Sequence, residues 1–131
     1  MADSDNGAGE GSGEISVVTG ANGRLGKEMI KMLLKNGDTV RALVQKRDFI
    51  RQLPPGVMPF HGDINDISTL REACKDADNV FHFAAIVSEY KSPTEEIMKV
   101  NVDGTRNVLD ACESNRVGHM IFSSTVDVYG L

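Results

Sequence analysis

The sequence predicts an α/β fold, a doubly wound parallel sheet, on three observations. Short runs rich in β-branched residues alternate with stretches of helical periodicity, a glycine-rich turn joins the first such pair, and the order of elements leaves parallel pairing through right-handed crossovers as the economical arrangement. At 131 residues the chain has the length of one compact core and is too short for a binding domain plus a separate substrate domain.

Residues 1–13 (MADSDNGAGEGSG) are rich in Gly, Ser and acid, with almost no apolar content to offset the entropy of ordering, and are expected to form a disordered tail. The folded part is read as residues 14–131. Ile15–Thr19 (ISVVT) reads as a buried strand, followed by a helix over Leu25–Lys35 that places Leu25, Met29, Met32 and Leu33 on one face and stops at Asn36-Gly37. Thr39–Val44 is the second strand, and Val57–Phe60, after the Pro54-Pro55-Gly56 break, the third. Ile67–Ala77 reads as a helix with Leu70, Ala73, Cys74 and Ala77 inward and Asp66 or Ser68 as its cap. Val80–Ala85 is the fourth strand. A capping box, Ser92-Pro93-Thr94-Glu95, opens one long helix to about Cys112, and Met120–Ser123 is the fifth strand, after which the sheet is cut short.

Composition narrows the function classes. The apolar share of 40% and charged share of 25% are those of a soluble globular protein, and no apolar run is long enough to cross a bilayer. Asp3, Asp5, Glu10 and Glu14 carry most of the net charge of −5. The remainder stands near −1, which gives no case for nucleic-acid or membrane partners. Cys74 and Cys112 fall in helix-like stretches without metal-ligand spacing, and His61, His82 and His119 are scattered, so no metal site is expected and the thiols are read as small buried groups in a reduced compartment. The N-terminus lacks a basic start and an apolar stretch, which makes the cytoplasm the expected location.

The most specific feature is Thr19-Gly20-Ala21-Asn22-Gly23-Arg24-Leu25-Gly26, a G-x-x-G-x-x-G pattern between the first strand and the first helix. In that position Gly20 makes a tight turn, Gly23 lets backbone approach a pyrophosphate, and Gly26 packs the helix on the sheet, while the helix N-terminus faces the anion. Dinucleotide-binding enzymes selective for the unphosphorylated cofactor usually carry an acid at the end of the second strand. Here that position is Val44, and Arg41, Lys46 and Arg47 supply positive charge instead, which favours a 2′-phosphate.

The T-G-x-x-G-x-x-G pattern resembles the short-chain dehydrogenase/reductase superfamily, in particular its extended branch of epimerases, dehydratases, dihydroflavonol reductases and hydroxysteroid dehydrogenases. Four later segments agree: Gly62-Asp63-Ile64 with the adenine-contacting turn, Val80–Ala85 with the fourth strand, Asn101-Val102-Asp103-Gly104-Thr105 with the central helix, and Phe122–Gly130 with the fifth strand and active-site turn. The resemblance spans residues 15–131 and implies a Rossmann fold that binds NAD(P), and the charge at Arg41, Lys46 and Arg47 makes NADP the expected form. It implies cofactor contacts from Gly20, Asn22, Gly23, Arg24, Leu25, Gly26, Arg41, Lys46, Asp63, Ile64, Phe83, Ala84, Ala85 and Asn101.

By the same resemblance Thr125 is the hydroxyl that steadies the substrate oxygen, with Ser124 beside it. The Tyr-x-x-x-Lys pair of the family is not found: Tyr90 is followed four residues on by Thr94, and the partner of Tyr129 would stand beyond Leu131. The chain therefore reads as the N-terminal, cofactor-binding portion of an oxidoreductase, epimerase or dehydratase, without the substrate domain and inactive alone. Its partner in the full-length protein would be a small-molecule substrate, with a homodimer as the assembly. The strand around Arg41 and the Phe83–Ser88 run look more like the hydroxysteroid dehydrogenase and dihydroflavonol reductase side. The alternatives are a non-catalytic NAD(P)-binding module or redox sensor, and an interaction fragment that pairs through its fifth strand.

Overall fold

The computed structural model describes residues 13–45, 47–84 and 94–123. The expected tail therefore lies outside the described residues but for Gly13, which is exposed.

Five parallel strands form one sheet: β1 (Ile15–Thr19), β2 (Thr39–Val44), β3 (Met58–His61), β4 (Asn79–His82) and β5 (His119–Phe122), in the order β3-β2-β1-β4-β5. The order reverses at β1, where the crossovers change sides, and in open sheets of this kind the crevice at that switch point is where ligands bind. The helices are α1 (Arg24–Lys35), α2 (Ile67–Ala73), α3 (Thr94–Met98) and α4 (Gly104–Ser114), with a 3-10 turn over Arg47–Gln52. The expected strands are all present, most displaced by a residue at an end; β4 stops at His82, with Phe83 and Ala84 past it, and Ala85, its expected end, lies outside the described residues.

Alternation along the strands makes two cores, because successive side chains of a strand point to opposite faces. Val18, Val40, Ala42 and Val44 face α1 and pack with Ala21 and Ile30. Val17, Leu43 and Val80 face the other layer and pack with Leu70, Ala73, Cys74 and Ala77 from the α2 segment and Val108, Ala111 and Cys112 from α4. Cys74 and Cys112 are free thiols in this second core. The hydrogen bond between them and burial push the Cys74 thiol up from its ordinary range.

Three expectations are corrected. The inward face of α1 is Gly26 and Ile30, with Leu33 and Leu34 partly buried, whereas Leu25 is 50% and Met32 66% exposed. The helix closes on the sheet through a glycine, and that sets a rotation that carries Leu25 round to the open end of the sheet. The α2 helix is shorter than expected, since Cys74 caps it and Asp76 takes φ 61°, so Ala77 is buried from the connection to β4.

Third, the long helix is not continuous. Between α3 and α4 lies a π-helical segment, Lys99–Asp103, in which the Gly104 amide reaches back five residues to the Lys99 carbonyl. The Thr105 hydroxyl donates to the Asn101 carbonyl at 2.7 Å, and such hydroxyl back-bonding competes with the α-helical ladder. Gly104 is needed for packing here, because a Cβ would overlap the Ile64 side chain. The capping-box residues Ser92 and Pro93 lie outside the described residues.

Among the described residues, no helix is long and apolar enough to cross a membrane, and no group of three His, Cys, Asp or Glu side chains is placed to hold a metal.

Candidate functional site

At the carboxy ends of the strands lies a cleft of about 800 Å³. Its floor is the glycine loop. Gly20 has φ +66°, and a Cβ there would stand 2.7 Å from the Phe83 carbonyl carbon and 2.8 Å from the Ala84 nitrogen, so the loop lies directly on the end of β4. A Cβ on Gly26 would overlap the Gly20 carbonyl oxygen. These two glycines are sterically required, whereas the Gly20 carbonyl is the one neighbour a Cβ on the exposed Gly23 would meet, at 3.4 Å.

Gly23 caps α1 without a side-chain hydrogen bond, and no acid stands in the first turn. The first amides of any α-helix have no partner inside the helix. Among the described residues no side chain caps that end, and it opens on the cleft with Asn22 and Arg24 beside it. Donors, a positive dipole end and close backbone approach together make an anion site.

The far wall is a turn after β3. The Asp63 carboxylate accepts from the Asn65 amide at 2.9 Å and from the Gln45 side-chain amide at 3.2 Å, which fixes the turn and ties it to the end of β2. Ile64 is buried beneath it. The opposite wall comes from Glu96, Lys99 and Val100, and Ser123 closes the end nearest β5.

Of the residues expected to bind cofactor, Gly20, Asn22, Gly23, Arg24, Leu25, Gly26, Asp63, Ile64, Phe83 and Ala84 line this cleft together. Two do not. Arg41 points into the α2–α4 layer, where its guanidinium donates to the carbonyls of Ala73 at 2.8 Å and Lys75 at 2.6 Å and lies 5.9 Å from the Phe60 ring. It closes the C-terminal end of α2, whose last carbonyls lack helical partners. Asn101 stands in the π-helical segment with its carbonyl on Thr105, and its neighbours Lys99 and Val100 face the cleft in its place. Lys46, Ala85, Ser124 and Thr125 lie outside the described residues.

Sequence reading missed Leu43, Gln45, Asn65, Glu96, Lys99, Val100 and Ser123 as lining groups. Gln45, one residue past Val44, and Asn65, two past Asp63, were adjacent to expected positions. The exposure of Lys99 and Val100 to the cleft depends on the π-helical offset, which has no signature in the sequence.

The fold and cleft define a class: a doubly wound dinucleotide-binding domain of the short-chain dehydrogenase/reductase type. The chain belongs, more narrowly, to the 3-beta hydroxysteroid dehydrogenase/isomerase family, whose model matches residues 17–131. It is 30% identical over 117 residues to sterol demethylase protein B of Methylococcus capsulatus, covering 88% of this chain and 36% of that protein. It is also 34% identical over 131 aligned positions to a UDP-N-acetylglucosamine 4,6-dehydratase (inverting) of Campylobacter jejuni, covering 87% of this chain and 39% of that enzyme.

Among solved structures, a short-chain dehydrogenase/reductase superfamily protein from Agrobacterium tumefaciens with bound NAD superposes with a TM-score of 0.77 at 30% identity, over 88% of this chain and 34% of that one. The chain thus spans well under half the length of the relatives it matches.

Proposed function

We propose that this chain binds a nicotinamide dinucleotide across the carboxy ends of β1, β2 and β4, as the cofactor-binding part of an oxidoreductase, epimerase or dehydratase. The observation that carries the reading is the glycine floor: Gly20 and Gly26 admit no Cβ, and the uncapped end of α1 leaves amide donors facing the cleft. A pyrophosphate suits that end, and the Asp63–Asn65 turn suits the adenosine half. The relatives' names and the NAD in the Agrobacterium tumefaciens structure point the same way.

The cofactor supplies hydride chemistry when bound. Gly20, Gly23 and Gly26 would hold its diphosphate, Asp63 and Ile64 its adenosine, and Phe83 and Ala84 the stretch toward the nicotinamide. Thr125, with Ser124, is proposed to steady the substrate oxygen, on the resemblance alone. A small-molecule substrate, a cytoplasmic location and a homodimer of the full-length protein are part of the same reading. Buried reduced thiols support the location, and the exposed apolar side chains of Met98, Val102 and Leu109 offer a second copy a surface to cover.

We propose NADP as the preferred form. No acid stands at the end of β2, where Val44 is buried against α1 and Gln45 lines the cleft, and the exposed Arg47 opens the next turn. Arg41 lends no support, because its guanidinium turns away from the cleft and its Nη1 donates to the carbonyls of Ala73 and Lys75. Calorimetric titration of the chain with NAD+ and NADP+ tests both statements. Binding of both with NADP+ tighter is the expected result; binding of neither removes the function, and tighter NAD+ removes the preference alone.

A further inference from the structure

We propose that His82 is a positioning residue for the cleft: held as the neutral Nε2–H tautomer, it sets the distance between the glycine-loop end of β1 and the π-helical wall opposite. This rests on the reading of the cleft as a dinucleotide site.

The tautomer follows from the ends of a hydrogen-bond chain. Thr19 Oγ1 accepts from the amides of Phe83 and Ala84, both at 3.1 Å. Backbone N–H groups can only donate, so the single hydroxyl proton of Thr19 is left for His82 Nδ1, at 2.7 Å. Nδ1 therefore carries a lone pair. On the other side, the Thr105 hydroxyl donates to the Asn101 carbonyl, which can only accept. Its oxygen then receives the Nε2–H of His82 at 3.0 Å.

Every link has one polarity, from the amides of Phe83 and Ala84 through Thr19, His82 and Thr105 to the π-helical segment. A charged ring would set a third donor against Thr19 Oγ1 and strand that hydroxyl proton. Burial at 1% exposure agrees, and pushes the pKa down to about 4.

The chain joins the glycine-loop side of the cleft to the π-helical side. Thr19 precedes Gly20; Phe83 and Ala84 are lining residues themselves; Thr105 and Asn101 hold the segment that carries Lys99 and Val100. The His82 ring also stacks on Phe122, with centroids 5.7 Å apart, and the His82 carbonyl accepts from the Ser123 amide at 3.3 Å. One buried side chain thus spaces the glycine floor, the π-helical wall and the Ser123 end of β5. A site whose supporting side chains are locked by packing and hydrogen bonds holds its ligand geometry within fractions of an ångström.

The test combines nitrogen-15 NMR of histidine-labelled chain with titration of NAD+ and NADP+ onto the wild type, Thr105→Val and His82→Gln. The expected spectrum at neutral pH has a protonated Nε2 and an unprotonated Nδ1 on His82. Thr105→Val, which keeps side-chain volume, is expected to weaken dinucleotide binding about tenfold with urea unfolding still cooperative, while His82→Gln, which keeps a donor toward Thr105, loses less.

An Nδ1–H or charged ring overturns the proposal. So does Thr105→Val that unfolds more easily yet binds within about twofold of the wild type, which marks a purely structural network. A wild-type chain that binds neither dinucleotide defeats the cofactor reading and the positioning role with it, whereas a binding wild type with variants that bind equally well defeats the positioning role alone.

Discussion

The two ends of the sheet are built on opposite principles. At the amino ends of the strands, side chains sew neighbouring segments together: Asp78 accepts from the Ile15 amide at 2.8 Å, buried Asp38 accepts from Ser16 at 3.1 Å, and Asn79 donates to both Glu14 and Ser16. At the carboxy ends, glycines replace side chains and leave backbone groups facing a cleft. The amino end ties its polar side chains to neighbouring segments, whereas the glycine floor at the carboxy end leaves the first amides of α1 facing the cleft. Polar satisfaction therefore sorts the stabilising residues from the binding ones, and each substitution should move either unfolding or affinity according to its end.

The sharpest break is expected at the glycine floor. Gly26→Val would drive its side chain into the Gly20 carbonyl, and only a shift of α1 off the loop relieves the overlap. Dinucleotide affinity, measured by calorimetry, should fall about 100-fold or more, the loss of roughly 3 kcal/mol that a displaced anion site implies. Unchanged affinity would mean that the cleft binds its ligand elsewhere.

Histidine protonation is the next test, and it separates a network residue from the cleft it supports. The ordinary value for His82 is 6.5 and burial lowers it to about 4, so the folded chain resists a proton that the unfolded chain accepts. Above about pH 6.5 both states are neutral and nothing is lost. As pH falls from 6.5 toward 4, the unfolded state binds the proton first, and stability should drop by about 3 kcal/mol across that window. Urea unfolding as a function of pH measures this, and His82→Gln should flatten that part of the curve. An equally steep curve in the variant would assign the dependence to other groups.

Arg41 tests the amino end. Arg41→Met keeps the hydrophobic stem and removes two charge-assisted hydrogen bonds to the carbonyls of Ala73 and Lys75, which should cost about 2 kcal/mol in urea unfolding. The ratio of NADP+ to NAD+ affinity should not change. A fall in that ratio would restore Arg41 to the cofactor.

How much of this was legible in the sequence follows from how far apart the partners lie. The glycine loop is one contiguous segment between a strand and a helix, so its position and close packing could be read directly, as could the position of the Asp63 turn. Parallel pairing in a doubly wound sheet followed from alternation and crossover handedness.

Arg41 misled because its guanidinium meets carbonyls 32 and 34 residues downstream, and a basic residue near the end of β2 looks the same in sequence whether it faces a phosphate or a helix end. The His82 chain was hidden for the same reason, since its partners stand 63 residues before it and 23 after. The α1 face was misread by counting Leu and Met as inward, when the close approach at Gly26 makes Gly26 and Ile30 the packing stripe.

Asp66 sharpens the comparison with the smallest effect, because it stands near the carboxy end yet serves structure. Its carboxylate caps α2 by accepting from the Ser68 amide at 3.1 Å and hydroxyl at 2.6 Å and from the Thr69 hydroxyl at 2.8 Å, and it is absent from the cleft lining. The hydrogen bonds from Ser68 and Thr69 hold its pKa below the ordinary 3.8. A carboxylate lowered in the fold stabilises above its unfolded value and loses that contribution as pH falls through the folded one. Asp66→Ala should lower stability at neutral pH, as the loss of an N-cap does, and the difference from wild type should shrink in strong acid. Dinucleotide affinity should stay within about twofold of wild type. If affinity falls with stability, nearness to the cleft rather than direct lining decides which residues serve the ligand, and the division between the two ends of the sheet gives way to a gradient along it.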